Sequence, residues 1–400
     1  MLHDSSFEQL ANEPEKFLSV DKISILLQFR QFDSFTIPDN YYRMTLPYHR
    51  KVATFSDWAV YAHKDDTGFG RMANDIREVL GFGYHLVIPS ERLIDHPVDG
   101  ITEQWLPLDA PIETIRSLLS GLAGILFFER HAWHPEILRI AREMGIATVC
   151  IPMWEWFLGK ASEWKYCDLF VCPSIFTEKI VRSYGFTNTC YLPWPVDLAK
   201  LSQRHVSGPA RHFIHNAGLV DRDDRKGTRD TIEAFCRLKR SDIRLTVRMQ
   251  KEAPLPPFDE RVEVVVGNLS SVSDLYSTGD LCVQPSKMEG IGFMVLEPAC
   301  AGMPVITTDY PPMNEFIQQP ELLCRTRWRK RKAYASQWIR HAHLKLPSIR
   351  DLTRRMEWAA SNDLSSISAT NRQWAEATFN PEVLLAAWAT VLLPLVRQTR

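Results

Sequence analysis

Along the chain, short runs rich in apolar and β-branched residues alternate with segments whose apolar positions recur every three or four residues. The runs Ala59 to Ala62, Tyr84 to Ile88, Ile125 to Phe128, Ala147 to Ile151 and Leu169 to Cys172 read as strands buried on both faces. Between them, Met72, Ile76, Val79 and Leu80 share one helical face, and further helices are predicted from about Pro135 to Met144 and from Ile175 to Tyr184, where Gly185 ends the last. The alternation resumes after residue 210. A helix from about Thr228 carries Ile232, Phe235 and Leu238, and strands are predicted at Ile243 to Val247, Val262 to Val266, Leu281 to Gln284 and Val305 to Thr307. Strands alternating with helices predict parallel α/β sheets. The stretch Leu198 to Pro209 is polar, with Ser, Gly and Pro, and reads as a linker. It divides the chain into residues 1–197 and 198–400. A final helix, Pro381 to Leu393, is apolar on most faces and is expected to pack back across both domains.

Composition narrows the class. The 47 Lys and Arg balance 48 Asp and Glu, so global charge points to neither a nucleic acid nor a membrane. The polar start MLHDSSFEQLANEPEK is not a secretory signal, and the longest apolar run, Leu384 to Val396, is too short to span a bilayer. Eight scattered cysteines without metal-site spacing read as buried reduced thiols, which suits a cytoplasmic protein or one peripheral to a membrane. Residues 1–57 form an extension with an apolar run at Ile23 to Phe29 and an aromatic-basic segment at Tyr41 to Lys51. It would add a strand to the sheet edge or cover part of a cleft.

The stretch Leu281 to Thr308 carries the chemistry: strand, glycine-bearing loop, helix, turn, strand. Gly290 and Gly292 let backbone N–H groups approach a ligand, and the helix they open offers its positive end to an anion. Glu289 and Glu297 flank that helix start with seven residues between them, and a carboxylate such as Glu297 can accept two hydrogen bonds from a diol. Phosphate at the loop and a sugar diol at the carboxylate point to nucleotide handling.

Embedded in PSKMEGIGFMVLEPACAGMPVI, this pair resembles the signature of the retaining glycosyltransferases of family 4. The resemblance implies a GT-B fold: two Rossmann-like domains facing across a deep cleft, with the C-terminal helix returning to the first. It implies a nucleotide-diphosphate sugar as co-substrate, with no further cofactor and no metal. Glu289 would face the transferred sugar and Glu297 would hold the ribose hydroxyls. Lys226-Gly227 matches the family's lysine-glycine pair, which grips the diphosphate. The family arginine is replaced by Leu219, with Arg222 and Arg225 as substitutes. Gly68 and Gly70 resemble the first domain's glycine loop, positioned for donor phosphate or acceptor. Where the family has a first-domain histidine, this chain has Pro152-Met153-Trp154-Glu155-Trp156, so Glu155 is a candidate replacement, and His131 and His134 are further candidates from the preceding strand end. Asp221-x-Asp223 is expected to cap a turn rather than bind metal. Pro298 should sit in the first turn of its helix or kink it.

The acceptor is less constrained. A glycan or lipid-linked saccharide is what the resemblance implies. Arg327, Trp328, Arg329, Lys330 and Arg331 interleave basic and aromatic residues, a pattern for polyanions or anionic headgroups and equally for a solvated face. A hydroxylated base in DNA is therefore a second acceptor, and a non-catalytic nucleotide-sugar-binding subunit is a second class of function.

Overall fold

The computed structural model describes residues 55–64, 68–89, 100–129, 134–269, 271–333 and 342–396. The N-terminal extension through residue 54, and His131, lie outside the described residues.

Seven strands form the first sheet: β1 (Trp58–His63), β2 (Tyr84–Ile88), β3 (Thr102–Trp105), β4 (Gly124–Phe128), β5 (Ala147–Ile151), β6 (Leu169–Cys172) and β7 (Thr189–Tyr191). Their order is β3-β2-β1-β4-β5-β6-β7 and every pairing is parallel. Helices α1 (Gly68–Leu80), α2 (Ile112–Leu119), α3 (Ile137–Glu143) and α4 (Ile175–Ser183) connect them. Strands β4 and β5 are buried at every position, which is why their apolar runs are continuous rather than alternating. Strand β3, with sequence TEQW, lies at the sheet edge and is only partly buried, so its polarity hid it from pattern reading.

The second sheet repeats the design. Strands β8 (His212–Gly218), β9 (Arg244–Met249), β10 (Val262–Val266), β11 (Leu281–Gln284), β12 (Val305–Thr308) and β13 (Leu323–Cys324) run in parallel order β10-β9-β8-β11-β12-β13. Helix α5 (Thr228–Cys236) follows β8 and α6 (Phe293–Cys300) follows β11. In each sheet the chain leaves the central strand in one direction and later returns on its other side. These reversals, between β1 and β4 and between β8 and β11, open crevices at the carboxyl ends of the strands, where α/β sheets bind ligands.

An antiparallel hairpin, β14 (Thr326–Ala333) and β15 (His343–Pro347), follows, and then α7 (Ile349–Ser361), α8 (Ser365–Thr378) and α9 (Pro381–Leu392). The basic run containing Arg327 therefore lies on an extended hairpin strand, where Arg327 donates to the carbonyl of Pro347 at 2.9 Å and faces Asp230 at 3.8 Å. By length and composition, the 31 residues Ser365–Leu395 are apolar enough to cross a membrane. Here they form two helices that break at Asn380, whose side chain caps α9 by accepting from the Glu382 N–H at 3.0 Å. Helix α9 returns to pack on α1 of the first domain. The Val196 N–H donates to the Phe379 carbonyl at 2.8 Å, tying the end of the first domain to the turn between α8 and α9. Cys190 and Cys236 are partly buried and the other six cysteines are buried, all with free thiols.

Candidate active site

The loop before α5 is shaped by one residue that the sequence pattern did not single out. Asp224 adopts a left-handed φ of 49° and caps α5 twice, accepting from the Thr228 and Arg229 N–H groups at 2.9 Å each. Asp221 opens the same turn, its carbonyl accepting from the Asp224 N–H at 3.2 Å. Gly227 has φ 76°, and a Cβ there would lie 2.6 Å from the Pro285 carbonyl oxygen, so this loop and the one after β11 can meet only through a glycine. The Lys287 N–H donates to the Arg225 carbonyl at 2.8 Å, lacing the two loops together. Beneath them, buried His215 bridges the Val283 carbonyl at 2.7 Å and the Thr228 hydroxyl at 3.0 Å; burial pushes its pKa down to about 4, so it is a neutral strut.

This scaffold delivers Arg225 and Lys226 to Glu289. Arg225 lies 3.0 Å from Oε2, and the Lys226 ammonium lies 2.7 Å from Oε1 and 2.9 Å from Oε2. Burial alone would raise the Glu289 carboxyl, but Lys226 and Arg225 outweigh it and hold it below the usual range. Lys226 is itself pushed down, by burial first and by the neighbouring Arg225 against the attraction of Glu289. Both cations converge on one carboxylate, and the buried carboxyl of Glu155 lies within their electrostatic reach. Arg222, offered by the sequence as an alternative, is exposed and makes no contact with Glu289 among the described residues. Arg225 precedes Lys226 directly and shares its cap-fixed turn, whereas Arg222 lies on the outer arm of the loop. Leu219, where the resemblance would place an arginine, is 53% exposed.

Glu297, the fifth residue of α6, is 1% exposed. Its Oε2 accepts from the Tyr276 hydroxyl at 2.8 Å, and its Oε1 is paired with Arg71, which reaches it from α1 of the first domain. Neither Arg71 nor Tyr276 was assigned a role from sequence, although Arg71 directly follows the glycines read as a loop. Those glycines need correction too. Helix α1 begins at Gly68, so Gly68 and Gly70 form its first turn rather than a free loop, and a Cβ on Gly68 would meet open space. Pro298 is likewise the sixth residue of α6, beyond the first turn. The carbonyl its missing N–H would have engaged, that of Met294, takes the Cys282 thiol at 3.9 Å instead.

Across the crevice, the first domain contributes Glu155 and Trp154. The Trp154 indole donates to the Glu289 carbonyl at 2.6 Å. Glu155 is buried, its Oε1 presses on Gly290, and its Oε2 has no hydrogen-bond partner among the described residues. Burial pushes its pKa up to about 7, with Glu289 adding to the rise and Arg225 and Lys226 opposing it. Glu129, at the end of β4 with a left-handed φ of 46°, is buried and raised well above the carboxylate range by burial and by Glu155. His134, by contrast, is tied to the Ala110 carbonyl at 3.0 Å and receives the Glu136 N–H at 3.2 Å, a structural arrangement. Among the described residues no group of three His, Cys, Asp or Glu side chains is placed to hold a metal ion.

Two parallel sheets with facing crevices, joined by returning C-terminal helices, match many solved glycosyltransferases. A glycosyltransferase from Rickettsia africae is 12% identical with a TM-score of 0.62, over 86% of this chain and 99% of its own. HepE of Anabaena, solved with UDP and glucose, is 10% identical with a TM-score of 0.60, over 84% of this chain and 99% of its own. A UDP-forming trehalose-phosphate synthase from Burkholderia xenovorans is 11% identical with a TM-score of 0.56, over 86% of this chain and all of its own. The fold is GT-B. Within it, residues 211–340 match the family model for glycosyl transferases group 1. No curated protein matches the chain. In GT-B terms, the cation pair and both glutamates of the motif belong to the second domain, while Glu155, Trp154 and Arg71 face them from the first.

Proposed function

We propose that the protein is a retaining, metal-independent glycosyltransferase that moves a sugar from a nucleotide-diphosphate donor to a hydroxyl of a glycan or lipid-linked saccharide. The observation that carries this reading is the Lys226–Glu289–Arg225 cluster, two cations fixed beside the motif glutamate at the switch point between β8 and β11. In the reaction, the bond from the anomeric carbon to the diphosphate breaks and its electron pair stays on the diphosphate. Lys226, Arg225 and the positive end of α6 neutralise that charge. The acceptor oxygen bonds to the anomeric carbon and releases its proton. Glu155, with its pKa near neutrality, is suited to hold that proton on the first-domain side. Glu289 orients the sugar hydroxyls and Glu297 the ribose.

A thermal-shift panel of nucleoside diphosphates and nucleotide sugars tests the donor pocket, because a ligand of the folded state raises its melting temperature. Donor hydrolysis or transfer should then disappear in Glu289→Ala. A wild type that binds nucleotide sugars but turns over none with any acceptor would instead identify a binding subunit. Retention is read from the product anomer by NMR; an inverted product rejects that part of the proposal.

A further inference from the structure

Among the described residues, Arg71 is the first-domain side chain that pairs with Glu297. Arg71 stands in the first turn of α1, yet its guanidinium pairs with Oε1 of Glu297 in α6 of the other domain. It passes 5.8 Å from the ring centre of Phe293 and lies 3.8 Å from Asp75. Tyr276 donates to the other carboxylate oxygen at 2.8 Å. Each Glu297 oxygen thus has one protein donor and one acceptor direction to spare. Such a carboxylate can take both hydroxyls of a vicinal diol, but only while it is ionised. A protonated carboxyl turns one oxygen into a donor and loses that geometry. Glu297 is buried, and a buried carboxylate without a cation takes up a proton. The charged or titratable groups facing it are Arg71 and Asp75 on α1, Tyr276, Lys226 and Cys300; burial raises the Glu297 carboxyl above its ordinary value, and Arg71 is the first of the groups that oppose the rise.

Resting on the donor reading above, we propose that Arg71 is a positioning residue for the donor ribose, supplied across the cleft by the first domain, which keeps Glu297 charged and turned to receive the diol. The α1 start then serves the donor through its arginine rather than through its glycines. It also makes ribose recognition depend on closure of the two domains.

The test is titration calorimetry with uridine, guanosine and adenosine diphosphates and their dideoxyribose counterparts, on wild type, Arg71→Met and Arg71→Lys. Wild type should prefer the ribose form of its nucleotide by about tenfold or more, as charged hydrogen bonds to a diol imply. Arg71→Met should lose that preference near neutral pH and regain it as the pH rises and Glu297 ionises. Arg71→Lys, which restores a cation, should keep most of it and guards against a misfolded Met variant. Inorganic pyrophosphate, which lacks ribose, should bind all three proteins alike. A preference unchanged in Arg71→Met, or lost with no recovery at high pH, would make Arg71 a mere strap between domains and overturn the inference while leaving the donor reading intact. Failure of wild type to bind any nucleoside diphosphate would overturn both.

Discussion

A Cβ on Gly290 would lie 2.6 Å from Oε1 of Glu155, so a carboxyl from the first domain rests directly on the backbone of the second domain's motif loop. The glycine is therefore required by contact, since Gly290 is not among the positive-φ residues. In Gly290→Ala, Glu155 must swing away or the loop must shift, with the Met153 sulfur only 3.2 Å from the same Cβ position. We expect a stability loss of about 1–3 kcal/mol, typical of overpacking, and a much larger loss of transfer. The check is urea unfolding beside an initial-rate assay. Full transfer activity in the variant would show that this contact does not position Glu155.

Glu155 also predicts a pH dependence of stability. Its folded pKa of about 7 lies above its ordinary 4.5, so the folded protein keeps a proton that the unfolded chain releases. Its contribution is fully present below about pH 4.5 and is lost as the pH rises through about 7, by about 3 kcal/mol at most. Glu155→Gln removes this loss. Against wild type, the variant should gain melting temperature steadily between about pH 5 and pH 8. Parallel melting curves across that range would sink the assignment.

Much of this arrangement was legible in the chain because burial on both faces writes itself as continuous apolar runs. The predicted runs at Ala147 to Ile151 and Leu281 to Gln284 coincide with β5 and β11, and the motif glutamates fall where a strand-loop-helix reading puts them. What escaped is instructive. Strand β3 is a polar edge, and the hairpin strand β14 is dominated by charge, so neither has a two-sided apolar signature. Arg71 and Tyr276 act on Glu297 from sequence separations of 226 and 21 residues, and no local pattern reports such a contact. Glu129 sits at a strand end in a left-handed conformation that a glutamate seldom adopts, which only coordinates reveal.

The cation cluster gives a sharper prediction. Removing the Lys226 ammonium leaves Arg225 as the cation paired with Glu289 and takes one positive charge out of the site. Lys226→Ala should weaken nucleoside diphosphate binding by roughly 10- to 100-fold, as the loss of a charged hydrogen bond implies. Binding of the parent nucleoside should hardly change. Calorimetry with both ligands decides the matter, and an equal loss for nucleoside and diphosphate would place Lys226 away from the phosphates.

Closure of the two domains has its own titrating tie. Glu315, in the loop after β12, accepts the Ile175 and Phe176 N–H groups at 2.8 Å each and so covers the start of α4 in the other domain. Burial pushes its pKa up to about 7 although both backbone donors pull it down. An opened cleft would return the carboxyl toward its ordinary 4.5, so the closed form binds the proton more tightly between these values. Closure is thus favoured at lower pH and weakens as the pH rises through about 7. Small-angle scattering should show a radius of gyration that grows over this range in wild type and stays flat in Glu315→Gln. Glu315→Ala, which strips both donors of their acceptor, should be open throughout and less stable by about 1–3 kcal/mol. A wild-type radius independent of pH, with Glu315→Ala equally compact, would show that this carboxylate caps α4 without governing closure.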